Sequence, residues 1–272
     1  MKSKTSAAPF GLWMVLFTVV PLAMVLWFAF TDETGAFTLD NLLVVKEFIP
    51  TFWKSVWMGA LSTAICLALA YPLAYSISRT AVRVQTVMVM LVMLPMWMNF
   101  LLRTYAWMSL LEDKGLINQF LTAIGLQPVH MINTNGAVIL GMVYNFLPYM
   151  VIPLYSVMVK IDGRLIEAAQ DLGCSTSQIF RRVVIPLSKP GIVSGVTMTF
   201  VPAVSTFVIT KLLGGGKDML IGDVIELLFM GSSKNYNVGA MLSLLLMVLM
   251  VVSMTAMRFV DNQEDEMEGL MV

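Results

Sequence analysis

The chain has 272 residues and no net charge, is 58% hydrophobic, and only 12% of its residues are charged. Soluble domains carry about 25% charged residues, and a mean hydropathy of +0.82 points the same way, so composition argues against a water-soluble domain and for a chain living in lipid. Zero net charge argues against nucleic acid as a partner. One histidine, His130, and two cysteines far apart in the chain, Cys66 and Cys174, offer no disulfide, no metal pair and no Ser–His couple.

A membrane span needs about 20 mostly apolar residues to cross about 30 Å of hydrocarbon. Taken in chain order, the stretches that qualify are 10–30, 55–78, 84–108, 136–158, 191–210 and 238–259, which predicts an all-α integral membrane protein with six transmembrane helices in a single transmembrane domain over 1–272. Lys2 and Lys4 precede the first stretch as they would a signal peptide. Its apolar run is long and no small-x-small site closes it, so it reads as a retained helix. Pro21, Pro72, Pro95, Pro148 and Pro202 lie within or near these spans; membrane helices tolerate proline where neighbours satisfy the freed carbonyls. The 24 methionines suit adaptable packing between helices. Gly214-Gly215-Gly216-Lys217, after the fifth stretch, is followed by Asp218 and lacks the spaced first glycine of a P-loop. It reads as a tight turn.

Lysines and arginines between the stretches set the orientation. One side collects Lys2, Lys4, Arg79, Arg83, Lys160, Arg164, Arg181, Arg182, Lys189 and Arg258, with few acids before the tail. On the other side Lys46, Lys54, Arg103, Lys114, Lys211, Lys217 and Lys234 are balanced by nine acids, among them Asp32, Glu112, Asp113, Asp223 and Glu226. The first side is expected to be cytoplasmic, with both termini and residues 160–189. Trp27, Trp53 and Trp57 then fall at the outer interface, as an aromatic belt would. The acidic run 261–268 reads as a solvated end.

Residues 160–189 are the most informative. Ile166, Ala169, Gln170 and Gly173 recur at helical spacing and make a small face that another surface can approach closely. Gly173 lets the chain leave this short helix through a left-handed conformation, Ser175 or Thr176 caps a second helix through Arg182, and Pro186 and Pro190 set the entry into the fifth span. Such a segment is a handle for another protein and no place for chemistry. Glu167-Ala168-Ala169 alone is common in helices, but here Gly173 follows, then Val183-x-Ile185-Pro186. That pattern resembles the cytoplasmic "EAA" loop of importer-type ABC permeases.

Further stretches are similar to permeases of spermidine/putrescine importers, specifically the first of their two permease subunits. They include Phe37-Thr38-Leu39-Asp40-Asn41, Tyr71-Pro72-Leu73-Ala74-Tyr75, Leu94-Pro95, and Asn99-x-x-x-Arg103-Thr104-Tyr105-Ala106-Trp107, followed by Val143-Tyr144 and Leu147-Pro148-Tyr149. The resemblance implies a bacterial cytoplasmic-membrane subunit paired with a second permease, carried on a cytoplasmic ATPase dimer and fed by an external solute-binding protein. It implies that Glu167, Ala168, Ala169, Gly173 and Pro186 couple to the ATPase, and that ATP and Mg belong to that partner, with no cofactor and no metal in this chain. Relatives that carry iron, thiosulfate or phosphonate have similar sequences, so the solute stays open between these and a polyamine.

A polyamine pathway must replace water with acids, carbonyls or aromatic faces. The polar and aromatic candidates are Asn99, Tyr105, Tyr144, Asn145, Tyr149, Ser205 and Thr206, and near the outer mouth Asp223 and Glu226, which share a face if 219–230 is helical. The aromatics equally suit packing, and the two acids a solvated face. Arg103 lines a cation path poorly and is expected to snorkel outward or pair with Glu112 or Asp113. An ion-coupled secondary transporter would need ionisable residues mid-span and related halves. An intramembrane enzyme would need a buried His with Ser, paired Asp or an H-E-x-x-H helix. Neither pattern is present in the sequence.

Overall fold

The computed structural model describes residues 8–216, 218–231 and 234–269. Lys2, Lys4 and Lys217 lie outside the described residues, as do the side chains of Arg258 and of the acidic run 261–268. The described chain is helical almost throughout. We number its helices α1 (Pro9–Ala29), α2 (Asp40–Ser78), α3 (Val82–Trp97), α4 (Phe100–Leu111), α5 (Leu116–Ala123), α6 (Asn135–Met158), α7 (Gly163–Asp171), α8 (Thr176–Ser205), α9 (Val208–Leu213), α10 (Ile221–Met230) and α11 (Tyr236–Gly269). Five stretches, α1, α2, α6, α8 and Tyr236–Met257 of α11, are long and apolar enough to cross a membrane. A sixth crossing exists if α3 and the helices after it count as one span, bent by 88°.

That bend replaces the straight span expected over 84–108. Pro95 withdraws an N–H from the helix ladder, and three residues later Met98 is extended (ψ 147°). Asn99 then restarts the helix by accepting the backbone N–H groups of Leu101 (2.8 Å) and Leu102 (3.4 Å). Proline also marks the other irregularities. Stretches of π-helix at Val15–Val19 and Phe180–Val184 each end shortly before a proline, Pro21 and Pro186. A wider turn lets the carbonyls that lose a donor find another within the same helix.

Three helices form the centre. α2 presents a stripe of small or slender residues at helical spacing, namely Gly59, Ser62, Cys66, Ala70 and Ala74, all buried or nearly so. α8 answers with Ser188, Gly191, Gly195 and Thr199, also buried. Both lie against α6, whose Met150, Leu154 and Met158 fill the space between them. Lipid tails offer helices no hydrophobic reason to associate, so close backbone approach and dense contact must hold them. The hydroxyls of Ser62 and Thr63 donate back to carbonyls of their own helix, at 2.7 Å each, and remain satisfied in an apolar setting.

Hydropathy located the lipid-facing runs but not every helix end. α2 continues outward past Lys54 to Asp40, and Lys54 is paired with Asp218 at 2.7 Å. The helix of the fifth expected span, α8, starts at Thr176, well before residue 191, and ends at Ser205. Thr206 is extended there (ψ 141°), four residues after Pro202, so the chain breaks away before residue 210. Cys66 is buried, Cys174 half-buried, and both are free.

The tightness of the centre is testable at Gly191. A Cβ there would lie 3.1 Å from the Pro153 carbonyl oxygen and 3.2 Å from Leu154 Cα, atoms that cannot swing aside. Gly191→Leu is expected to lower stability by about 1–3 kcal/mol, read as a reduced melting temperature of the detergent-solubilised protein. Gly163→Leu, at a site with open space, should leave it nearly unchanged.

Candidate coupling loop and translocation site

Between α6 and α8 the chain builds two short helical segments at one end of the bundle. Asp162 caps α7 by accepting the Arg164 N–H at 3.0 Å. At the other end Gly173 adopts φ +81°. Its N–H donates to the Gln170 carbonyl (2.8 Å) while the Cys174 N–H reaches back to Ala169 (3.0 Å). This is the paired-bond C-cap that a left-handed residue makes possible. A Cβ on Gly173 would touch nothing within 4 Å, so the requirement is conformational. Ser175 and Gln178 then cap α8 reciprocally, at 3.4 and 2.8 Å.

α7 buries none of its residues. Of the small face expected from spacing, only Ile166 and Ala169 are partly covered, whereas Gln170 and Gly173 are exposed. The neighbouring stripe faces away from the bundle: Leu165 is 49% exposed and Leu172 86%, with Ala168 between them and Glu167 alongside. A leucine that open to water on a short, doubly capped helix is unlike the scattered apolar residues of an ordinary surface.

The second helix does not stop at Arg182. It runs without a break from Thr176 through the π-turn, Pro186 and Pro190 into the bundle. Pro186 falls in the first turn after the π-turn, where its missing N–H costs least. Buried Ile179 and Val184 anchor this helix, and the Phe180 ring packs edge-on against Tyr75 (4.8 Å) and Tyr71 (5.6 Å) of α2. Ser188 commits its hydrogen to the Ile185 carbonyl (3.1 Å), so Tyr71 donates to Ser188 at 2.7 Å. Arg79 closes the cluster by donating to the Ile161 carbonyl (3.2 Å) from above the Tyr75 ring. The exposed loop is thus bolted to the ends of α2, α6 and α8. Tyr71 and Tyr75, four residues apart on a helix, were the visible signal for this cluster; their partner Phe180 was not legible without the fold.

The candidate pathway residues fall in several places. Asn99 is spent on capping α4. Tyr105 and Tyr149 are exposed on this chain, and Tyr149 leans on Phe146 at 6.4 Å. Tyr144 packs edge-on against Trp107 (5.3 Å). Asn145 is buried, gives its amide to the Gly141 carbonyl (2.9 Å), and leaves its Oδ1 without a partner. Arg103 is 7% exposed, lies over the Phe100 ring at 5.8 Å, and its Nε and Nη1 have no partner. It pairs with neither Glu112 nor Asp113, because nine or ten residues along a helix is about 14 Å, beyond its reach; Asp113 holds His130 instead, at 2.7 Å.

Ser205, Thr206, Asp223 and Glu226 gather where α8 gives way to the α9–α10 hairpin. Gly215 (φ +65°) and Gly216 (φ +70°) make the hairpin's turn. Asp223 is buried, accepts from Thr210 Oγ1 (2.7 Å) and from the Leu220 N–H (2.8 Å), and so caps α10 and ties it to α9. Ile221 N–H donates to Ser55 of α2 at 2.7 Å. Glu226, one turn on, is half-buried and receives Lys211 Nζ at 3.0 and 3.1 Å. Glu226 and Ser205 share a cavity of about 550 Å³ walled by Phe207, Phe229 and Met247. Lys211 was not singled out in the sequence, since only the hairpin brings residues 211 and 226 together.

The chain matches the family model described as "Binding-protein-dependent transport system inner membrane component" over residues 8–265. It is 37% identical to the spermidine/putrescine transport system permease protein PotB of Haemophilus influenzae, covering 88% of this chain and 87% of that one. Its identity to the protein of the same name from Escherichia coli K12 is also 37%, over 88% and 90%. The fold is similar to a bacterial ABC transporter involved in import of the acidic polysaccharide alginate, with TM-score 0.80, 17% identity, and 95% and 94% of the two chains covered. It is likewise similar to that type of transporter in complex with an alginate pentasaccharide-bound periplasmic protein, at TM-score 0.76 and 15% identity.

Asp223 gives a prediction with a definite sign. Burial pushes its carboxyl above the usual value of 3.8, with the Glu226 charge adding to this and the Thr210, Leu220 and Lys211 contacts opposing it. The folded protein therefore holds this proton more tightly than the unfolded chain does. The resulting stability is fully present below about pH 4 and is lost as pH rises through the raised value. Relative to Asp223→Asn, the melting temperature of the unsubstituted protein should fall as pH rises from about 4 through the raised value and then level off.

Proposed function

From the premise that this chain belongs to the binding-protein-dependent transport system inner membrane components, we propose that it translocates a polyamine across the bacterial cytoplasmic membrane. It is a permease of an ABC importer and a non-catalytic membrane subunit. In our reading it works beside a second, homologous permease, receives solute from an external binding protein, and is driven by a dimer of ATPase subunits that bind ATP and Mg. Both chain termini and α7 face the cytoplasm, and the α9–α10 hairpin faces outward.

The observation that carries the coupling role is the mounting of α7. It offers Leu165, Ala168 and Leu172 outward, with Glu167 beside them, while Arg79 ties the chain just before it to α2 and Phe180 packs the start of α8 onto Tyr71 and Tyr75. A partner that seats on α7 moves the ends of α2, α6 and α8 together, because the loop has little freedom of its own. Glu167, Ala168 and Ala169 form the gripped surface, Gly173 sets the angle between the two short helical segments, and Pro186 lies where the second enters the bundle.

Support for a polyamine as solute comes from the relatives named as spermidine/putrescine permeases. It comes also from the Glu226 cavity, where a carboxylate, the Ser205 hydroxyl and the faces of Phe207 and Phe229 meet. A primary ammonium is stabilised by both carboxylates and aromatic rings. Tyr144, Asn145, Tyr149, Asn99, Tyr105 and Thr206 complete the proposed pathway with the second permease, and Asp223 holds its outer wall in place.

Three measurements test this. Vesicles containing the complete importer should accumulate labelled spermidine or putrescine when ATP is supplied on the ATPase side; accumulation of iron, thiosulfate or phosphonate and no polyamine would refute the solute. Gly173→Leu forces a side chain into the left-handed region, at a cost of about 1 kcal/mol, and should leave membrane insertion intact while removing solute-stimulated ATP hydrolysis. Glu167→Lys should weaken co-purification of the ATPase. Normal transport in both variants would contradict the proposed coupling role.

A further inference from the structure

The Glu226 carboxylate already holds a primary ammonium, and it belongs to the chain itself. Lys211 Nζ lies 3.0 and 3.1 Å from the two carboxylate oxygens. Its side chain is 61% exposed, while that of Glu226 is 24% exposed. The acid is therefore fixed in the cavity wall and the base reaches in from solvent. A lysine side chain is a four-carbon stem ending in an ammonium, the same group with which a linear aliphatic diamine or polyamine ends. We propose that Lys211 is a tethered stand-in for the solute: it fills the ammonium site of Glu226 when the permease is empty, and the terminal ammonium of an incoming polyamine displaces it.

This rests on the polyamine reading and deepens it. The exchange swaps one ammonium for another, so no net charge enters or leaves the half-buried carboxylate. Releasing Lys211 is cheap, because an ion pair with one largely exposed partner is among the weakest in proteins. The amine that takes its place also gains what Lys211 lacks, namely insertion of its carbon chain between Phe207, Phe229 and Met247. The walls carry further acceptors. Ser205 and Ser243 each donate to a carbonyl of their own helix, at 3.1 and 2.9 Å, which leaves their oxygen lone pairs for the N–H groups of a cation. Asp223 is the other carboxylate close to Glu226 and Lys211, and it is occupied by Thr210 and Leu220. With Lys211 in place the site is neutralised and attracts stray cations weakly. A solute must compete for it, which favours one delivered at high local concentration by a binding protein.

The test is equilibrium binding of labelled spermidine and putrescine to the complete, nucleotide-free importer in lipid nanodiscs. Lys211→Gln removes the competitor and should tighten binding about two- to fivefold. Glu226→Gln should weaken it about tenfold or more, and the double variant should match Glu226→Gln with no gain from the lysine change. Glu226→Asp, which keeps the charge, should retain measurable competition. Weaker binding in Lys211→Gln, or an equal gain with and without the acid, would overturn the exchange while leaving the polyamine reading intact. If the unsubstituted importer binds and transports no polyamine at all, that reading fails and the exchange falls with it.

Discussion

In hydrocarbon every backbone N–H and carbonyl must find its partner inside the protein, and this constraint orders the whole molecule. It makes the chain helical and turns several prolines into events. Pro21 and Pro186 follow π-turns, Pro95 precedes the 88° bend, and Pro202 precedes the break at Thr206. These are the places where the bundle departs from straight rods, and two of them border the candidate sites. Side chains satisfy what the helix breaks and ends leave open. Asn99 restarts a helix after the bend, and Gln85 donates to the carbonyls of Ser78 (3.2 Å) and Thr80 (2.8 Å) at the end of α2 while accepting from Tyr155 (3.0 Å).

The constraint also separates the two ends of the molecule by function. At one end α7 stands clear of the bundle with an outward apolar stripe, and its base is locked by rings and hydrogen bonds to α2 and α8. At the other, the α9–α10 hairpin is held by buried Asp223 and by Ser55, and it sets Glu226 into an apolar wall. α2 touches both, since Tyr71 and Tyr75 lie near its C-terminal end and Ser55 lies nearer its middle. In the proposed coupling, a displacement received at the loop reaches the hairpin along this one helix.

Much of this was legible in the sequence, for physical reasons. The long apolar runs and low charge announce a helical membrane protein, and Glu167 to Pro186 announce the family. Gly173 was readable as a left-handed cap because few other residues accept φ +81° so cheaply. The rest depended on tertiary geometry. Hydropathy sees lipid and is blind to hydrogen bonding, so it stopped α2 at the charged Lys54 and started α8 too late. Pro95 was visible, but a proline alone does not distinguish a tolerated kink from a right-angle bend. Spacing placed the small face of α7 correctly on a helix, yet which face turns outward is decided by how the loop docks. Lys211 and Glu226 lie on different helices, and no periodicity relates them. Arg103 departs from the expectation most sharply: it is buried with two unpaired nitrogens, and nothing in the fold of this chain explains what satisfies them.

In the proposed coupling α7 acts as a rigid handle and not as a flexible tether. Spin labels at Ala168 on α7 and Arg83 at the start of α3, both exposed, report the distance between the handle and its end of the bundle. Pulsed electron-spin distance measurement on the complete importer, with and without ATP, tests this directly. A rigid mounting predicts one narrow distance that changes by less than about 2 Å, well under the 5.4 Å pitch of a helical turn. A broad distribution, or a shift of about a full helical turn on ATP binding, would contradict it.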